Sequence, residues 1–207
     1  MLELYKPHIE DLWFKEKMMS DEQTMAYNHA YGGTIPFPKE YWADWHDRWI
    51  INHNNKRFYR YIKENGTFIG EVAYHFDGER QIYIADVIIY APYRGKGYGR
   101  NGLLLLCETA KGNGIMELYD DIAIDNSSVA LFLKCGFVEV LRTTEYVLVK
   151  KELRVNQFQF VEQIKGALLY AVRCSALSTI LHCTQGSFYT REPWALPRRC
   201  ITRKTDL

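Results

Sequence analysis

Seven residues, Arg94-Gly95-Lys96-Gly97-Tyr98-Gly99-Arg100, lie between a largely β-branched run, Val87-Ile88-Ile89-Tyr90, and a leucine-rich segment. Glycines at alternate positions let the backbone approach a ligand with no Cβ in the way. A helix that begins there aims its unpaired N–H groups, and about +0.5 of dipole charge, at the same spot. Strand, glycine loop and helix in that order make a phosphate cradle, and Arg94, Lys96 and Arg100 add cations suited to a diphosphate and a further phosphate. A Walker loop is excluded, because no GxxxxGK[ST] is present. Gly97-Tyr98-Gly99-Arg100-Asn101-Gly102 does spell the dinucleotide fingerprint GxGxxG, and Asp120 follows about 20 residues on. That fingerprint should open the first βαβ unit of a parallel sheet, so what precedes the loop decides its meaning.

What precedes it is hairpins. Arg57 to Lys63, Thr67 to Phe76 and Arg80 to Tyr90 are β-type runs, separated by Asn65-Gly66 and Asp77-Gly78. Such pairs tolerate positive φ and are strong short hairpin signals, so the three runs predict an antiparallel meander. Ahead of them, Leu2 to Lys6 reads as a short strand and His8 to Met19 as a helix with Ile9, Leu12 and Trp13 on one side. Met25 to Pro38 is a loop, broken by Gly32-Gly33-Thr34 and two prolines and rich in aromatic and amide groups. Pro38 opens a second helix whose Trp42, Trp45 and Trp49 share one face, a core stripe rather than a ligand site. After the glycine loop come a helix to Lys111, a strand from Ile115 to Ala123, a short helix from Asn126 to Lys134, and a strand pair at Phe137 to Leu141 and Thr144 to Lys150. One clear crossover helix after a meander is the wrong setting for a dinucleotide fold. It predicts an α+β chain with a mixed, mostly antiparallel central sheet flanked by helices, and a C-terminal extension.

Bulk properties narrow the function. With 207 residues and 47% hydrophobic content, the chain can bury a full core. It has no apolar run of membrane-spanning length, and Met1-Leu2-Glu3-Leu4-Tyr5-Lys6 lacks the order of a signal peptide, so a soluble cytoplasmic protein with no membrane partner is expected. Five cysteines form no CxxC and six histidines no HExxH, which predicts no metal and reduced, mostly buried thiols. A net charge of +1 gives no field that would favour nucleic acid. Residues 154 to 207 carry eight Lys or Arg against three Asp or Glu, net +5, whereas residues 1 to 153 are net −4. The chain thus divides into a domain over 1–153 and an extension over 154–207, helical or poorly ordered. The extension reads either as a docked helix or homodimer contact, or as a segment outside the designed fold.

The residues resemble the GNAT superfamily. Its motif (Q/R)xxGx(G/A) is matched by Arg94, Gly97 and Gly99 between a strand and a helix. Asp125-Asn126-Ser127-Ser128, then Leu131-Phe132-Leu133-Lys134-Cys135-Gly136-Phe137, looks like the family's NxxSxxLYxKxGF segment. The resemblance implies an N-acetyltransferase with acetyl-CoA as co-substrate and a primary amine of a small molecule or peptide as acceptor. It assigns the backbone N–H groups of Arg94, Gly95, Lys96, Gly97, Tyr98 and Gly99, with Arg100 beside them, to the pyrophosphate. Val87, Ile88 and Ile89 take the pantetheine amides, and Asn126 contacts the coenzyme arm. The family's asparagine position falls on Asp125, so either residue can face the coenzyme, and Asn126 also suits a helix cap. Phe132 stands where many members carry the tyrosine that protonates the leaving thiolate, and phenylalanine donates no proton.

Acetyl transfer requires a neutral amine, and a lysine-like amine titrates near 10.4, so a base is needed. Asp86, on the strand that feeds the loop, and Glu71, on its neighbour, are the candidate catalytic carboxylates. The alternative for each is a solvated or salt-bridged strand residue. A backbone N–H near Ile89 would hold the oxyanion. The acceptor would lie over the loop from Met25 to Phe37, where Tyr27, Asn28, His29 and Tyr31 are the groups available to read it. A catalytically silent acetyl-CoA sensor or interaction module, motivated by Phe132, is the reading from another class.

Overall fold

The computed structural model describes residues 1–153, with the side chains of Ala30 and Tyr31 left out. The extension over 154–207, and three of the five cysteines with it, lies outside the described residues. Strand β1 (Leu2–Tyr5) leads through a 3-10 turn (Ile9–Leu12) into α1 (Trp13–Ser20). A second 3-10 turn (Ala26–Tyr31) and α2 (Trp42–His46), which runs on as a π turn (Asp47–Ile51), complete the N-terminal layer. The meander follows as β2 (Arg57–Glu64), β3 (Thr67–Asp77) and β4 (Ile82–Ile89). Then come α3 (Tyr98–Gly112), β5 (Glu117–Ala123), α4 (Val129–Lys134), β6 (Val138–Arg142) and β7 (Tyr146–Glu152). The seven strands form one sheet in the order β1-β2-β3-β4-β5-β7-β6, antiparallel except where β4 meets β5. No helix of the described residues is long and apolar enough to cross a membrane.

The two hairpins close differently. Asn65 and Gly66 both take positive φ, 48° and 83°, as a tight two-residue turn requires. At the second, β3 runs on through Asp77, whose Oδ1 accepts the N–H groups of Glu79 and Arg80 at 2.9 and 3.1 Å. Positive φ falls on Gln81, at 57°, and not on the Asp-Gly pair. The aspartate side chain caps two backbone donors, which stabilises a longer loop over the two-residue turn expected from sequence.

Alternation along β2, β3 and β4 gives the sheet two faces. On one, Ile62, Val72, Tyr74 and Ala85 pack against Leu103, Leu106, Cys107 and Ala110 of α3. There α3 comes so close that a Cβ on Gly102 would lie 2.5 Å from Ile62 Cδ1. On the other, the Phe14 ring meets Tyr61 at 5.2 Å and Trp45 meets Tyr59 at 4.7 Å, which brings α1 and α2 onto Tyr59, Tyr61 and Glu71. Trp42 and Trp45 are buried and Trp49 stacks on Trp45, so the tryptophan stripe is core. Trp13, expected beside Leu12 on the buried side, is 49% exposed. The 3-10 turn before it advances the chain by a different angle per residue than an α-helix, and the inward positions become Phe14, Met18 and Met19.

Candidate active site at the splayed strands

Strands β4 and β5 pair in parallel at Ile84↔Tyr119, and among the described residues the pairing does not continue to Val87 and Ile122, which the same register would match. The strands therefore part towards their C-terminal ends. Tyr90 donates its N–H to the Ile69 carbonyl on β3, at 3.0 Å. Backbone polar groups alternate along a strand, so Val87 and Ile89 turn theirs to the gap. This is an open sheet edge inside the sheet, able to accept an extended, amide-bearing chain as a further strand.

The glycine loop stands at the mouth of that gap. Gly95 and Gly97 have φ of 77° and 83°, a conformation that side-chain-bearing residues rarely adopt, and the space where a Cβ would project is open. Asn101 donates to the Gly97 carbonyl at 3.1 Å and begins the helical ladder, so the N–H groups just before it are left for a ligand or water. Tyr98 contributes backbone only, since its hydroxyl is held by Glu64 Oε2 at 2.5 Å. Lys96 and Arg100 are exposed beside the loop. Arg94 is not free in this way: its guanidinium donates to the carbonyls of Ile89, Gln23 and Thr24 at 3.1, 2.9 and 2.6 Å. Asn126 accepts the Ser128 N–H on Oδ1 at 2.9 Å, a local turn just ahead of α4.

The two candidate carboxylates differ in surroundings. Glu71 is 4% exposed, and Lys15 Nζ lies 3.0 and 3.3 Å from its two oxygens, with the Tyr59 hydroxyl donating to Oε2. The Lys15 ammonium is in turn boxed by the rings of Trp45, Tyr59 and Phe37, at 5.0, 5.0 and 5.8 Å. Sequence reasoning missed Lys15. The available signal was a lysine three residues from both Leu12 and Met18, inside an apolar stripe. Asp86 is less enclosed, with its side chain 43% exposed and Oδ2 3.6 Å from Nδ1 of His75.

The four acceptor-loop residues are not equivalent. Tyr27 is half-buried, and burial first, then the carboxylates of Asp86, Glu71 and Asp120, push its phenol well above the ordinary tyrosine range, with Arg94 opposing. Burial above all keeps the phenol neutral and makes it a poor source of a proton. Asn28 is 2% exposed and donates to the Gly33 carbonyl at 2.7 Å, so its amide closes the loop on itself. His29 is exposed and pairs through Nε2 with Asp125 Oδ2 at 3.1 Å, across to the loop before α4. The side chain of Tyr31 is outside the described ones. Phe132 is buried against Phe137, ring centroids 4.9 Å apart, as a core residue. Cys107 and Cys135 are buried free thiols, and among the described residues no cluster of three His, Cys, Asp or Glu could hold a metal.

A sheet parted at its one parallel step, with a glycine-cradled helix start at the mouth, has room for a phosphate-bearing ligand with an extended arm. The model of the Acetyltransferase (GNAT) family matches residues 16–137, and the chain belongs to that family. It is 29% identical over 110 residues to the uncharacterised N-acetyltransferase YycN of Bacillus subtilis (strain 168), a match that covers 51% of this chain and 62% of that protein. Among solved structures, it is similar to the spermidine N-acetyltransferase of Vibrio cholerae in complex with CoA and spermine, with a TM-score of 0.62, 17% identity, 73% of this chain and 95% of the other covered. The PaiA N-acetyltransferase of Thermoplasma acidophilum in complex with coenzyme A follows at 0.53, with 18% identity and coverage of 73% and 99%. The microcin C7 self-immunity acetyltransferase MccE in complex with acetyl-CoA and AMP stands at 0.57, with 19% identity and coverage of 73% and 92%. At these identities the structural likeness speaks for the fold.

Proposed function

We propose that the chain transfers an acetyl group from acetyl-CoA to a primary amine of a small molecule or peptide. The observation that carries this reading is the parting of β4 from β5 beside the Gly95–Gly97 cradle, with Asp86 on the strand that lines the gap. The helix start and the N–H groups from Gly95 to Gly99 would hold the pyrophosphate, Lys96 and Arg100 would lie over the phosphates, and Val87 would pair with the pantetheine amides. Asn126 would meet the arm from the far side.

Asp86 is the base in this scheme. Both Glu71 oxygens are committed to Lys15 and Tyr59, so Glu71 serves to neutralise the buried ammonium and is not left to take a proton. Asp86 takes a proton from the ammonium, directly or through a water, and the freed nitrogen attacks the thioester carbonyl. The Ile89 N–H would meet the oxyanion as it forms; the C–S bond then breaks to give a thiolate that needs no strong acid to leave, and the proton that the nitrogen still sheds passes to that thiolate or to water. The Asp86 and Asp120 carboxylates that act on Tyr27 favour a cationic acceptor, and the spermine in the Vibrio cholerae enzyme is of that chemistry.

The burial of Phe132 favours a second reading, a coenzyme-binding module without turnover. Release of free coenzyme A across a panel of amines separates the two, with Asp86→Asn as control. The proposed reaction gives thiol with at least one amine and loses it in the variant; thiol release equal in wild type and variant would remove Asp86 from the mechanism.

A further inference from the structure

The guanidinium of Arg94 joins two segments some seventy residues apart in the chain. Its Nε donates to the Ile89 carbonyl at the end of β4, and its two terminal nitrogens donate to the Gln23 and Thr24 carbonyls just past α1, at 2.9 and 2.6 Å. Thr24, fully buried, completes the link in the other direction, since its Oγ1 accepts the Ala91 N–H at 3.0 Å. The Thr24 N–H is itself held by Asp21 Oδ1 at 2.6 Å, which fixes the turn that Arg94 grips. Tyr27 and Asn28 follow within four residues.

We propose that Arg94 is a positioning residue that fastens the acceptor loop to the coenzyme loop, so that a single guanidinium sets the distance between the two substrates. The inference rests on the acetyl-transfer reading for what the loops bind, but the fastening itself is a property of the free protein. A planar fork with several fixed N–H donors can reach three carbonyls on two segments at once; a lysine, with one ammonium, can hold one segment and not both. Phosphate charge is left to Lys96 and Arg100, and the Ile89 carbonyl, adjacent to the N–H proposed for the oxyanion, is held in place by the same group.

The test uses the full chain as wild type, Arg94→Lys, Arg94→Ala and Thr24→Val. Hydrogen exchange is followed peptide by peptide, acetyl-CoA binding by calorimetry, and steady-state kinetics with spermine as the amine probe. Loss of two or three hydrogen bonds, two of them part-buried, is expected to speed exchange of residues 23–31 about tenfold in both Arg94 variants, and less in Thr24→Val, with β2 and β3 unchanged. The acetyl-CoA Kd is expected to stay within about threefold, while the spermine KM rises about tenfold and kcat moves less. A Kd weakened tenfold with loop exchange unchanged would overturn the proposal and make Arg94 a phosphate ligand. If one Arg94 variant does not fold, the other carries the test, while Thr24→Val reports separately on the Ala91 link across the same junction. A wild-type protein that binds no acetyl-CoA would overturn the proposed function alone, and one that does not turn over spermine leaves exchange and binding to decide on Arg94.

Discussion

Lys15 is the residue whose position was least legible and whose removal should be felt most. It sits 9% exposed among Leu12, Met18 and aromatic rings, and it is tolerable there because Glu71 neutralises it. Lys15→Met leaves a buried, uncompensated carboxylate and is expected to cost about 3–5 kcal/mol in chemical denaturation, much of which Lys15→Met with Glu71→Gln should recover. Asp86→Asn, by contrast, is expected to lower turnover about 10²–10⁴-fold with stability and acetyl-CoA Kd near wild type, measured by thiol release and calorimetry. Sequence placed both carboxylates on adjoining strands, which alternation and hairpin signals suffice to do. It could not rank them, because the ranking depends on a partner 56 residues away in α1. For the same reason Arg94 read as a phosphate cation: the three carbonyls it holds belong to backbone and leave no trace in side-chain identity.

At the scale of elements, the strands, the glycine loop and α3 were all readable from periodicity and punctuation. The boundaries moved where a side chain competed with the backbone, as Asp77 does at the second hairpin and Asn126 does before α4. The packing of α3 on the sheet was not readable, since nothing in the string says that Gly102 faces Ile62 and Val72 rather than solvent. Gly102→Ala puts a methyl 2.5 Å from Ile62 Cδ1 in a fully buried setting. Such overpacking is expected to cost about 1–3 kcal/mol despite the better helix propensity of alanine, a sign opposite to that for an exposed helix glycine, and thermal denaturation reads it directly.

Over residues 1–153, the one parallel step of the sheet follows from the crossover through α3, which returns the chain as β5 beside β4 at the edge of an antiparallel meander. The same interior buries groups that resist ionisation. Burial holds the Cys107 thiol at about 11 against an ordinary 9.0, and it raises the phenols of Tyr59, Tyr61 and Tyr74 as well. A raised folded-state value means that the unfolded chain loses its proton first. Stability is therefore expected to be fully present below pH 9 and to fall as pH rises from there through about 11, in denaturation midpoints taken at stepped pH. The measurement that bears most directly on the account as a whole is the release of free coenzyme A from acetyl-CoA by the full chain across a panel of primary amines, with the acetylated products weighed by mass spectrometry. Thiol that appears in step with an acetylated amine, and vanishes in Asp86→Asn, is the expected result. Tight acetyl-CoA binding with no amine in the panel acetylated above background would contradict it and leave a coenzyme-binding module in place of an enzyme.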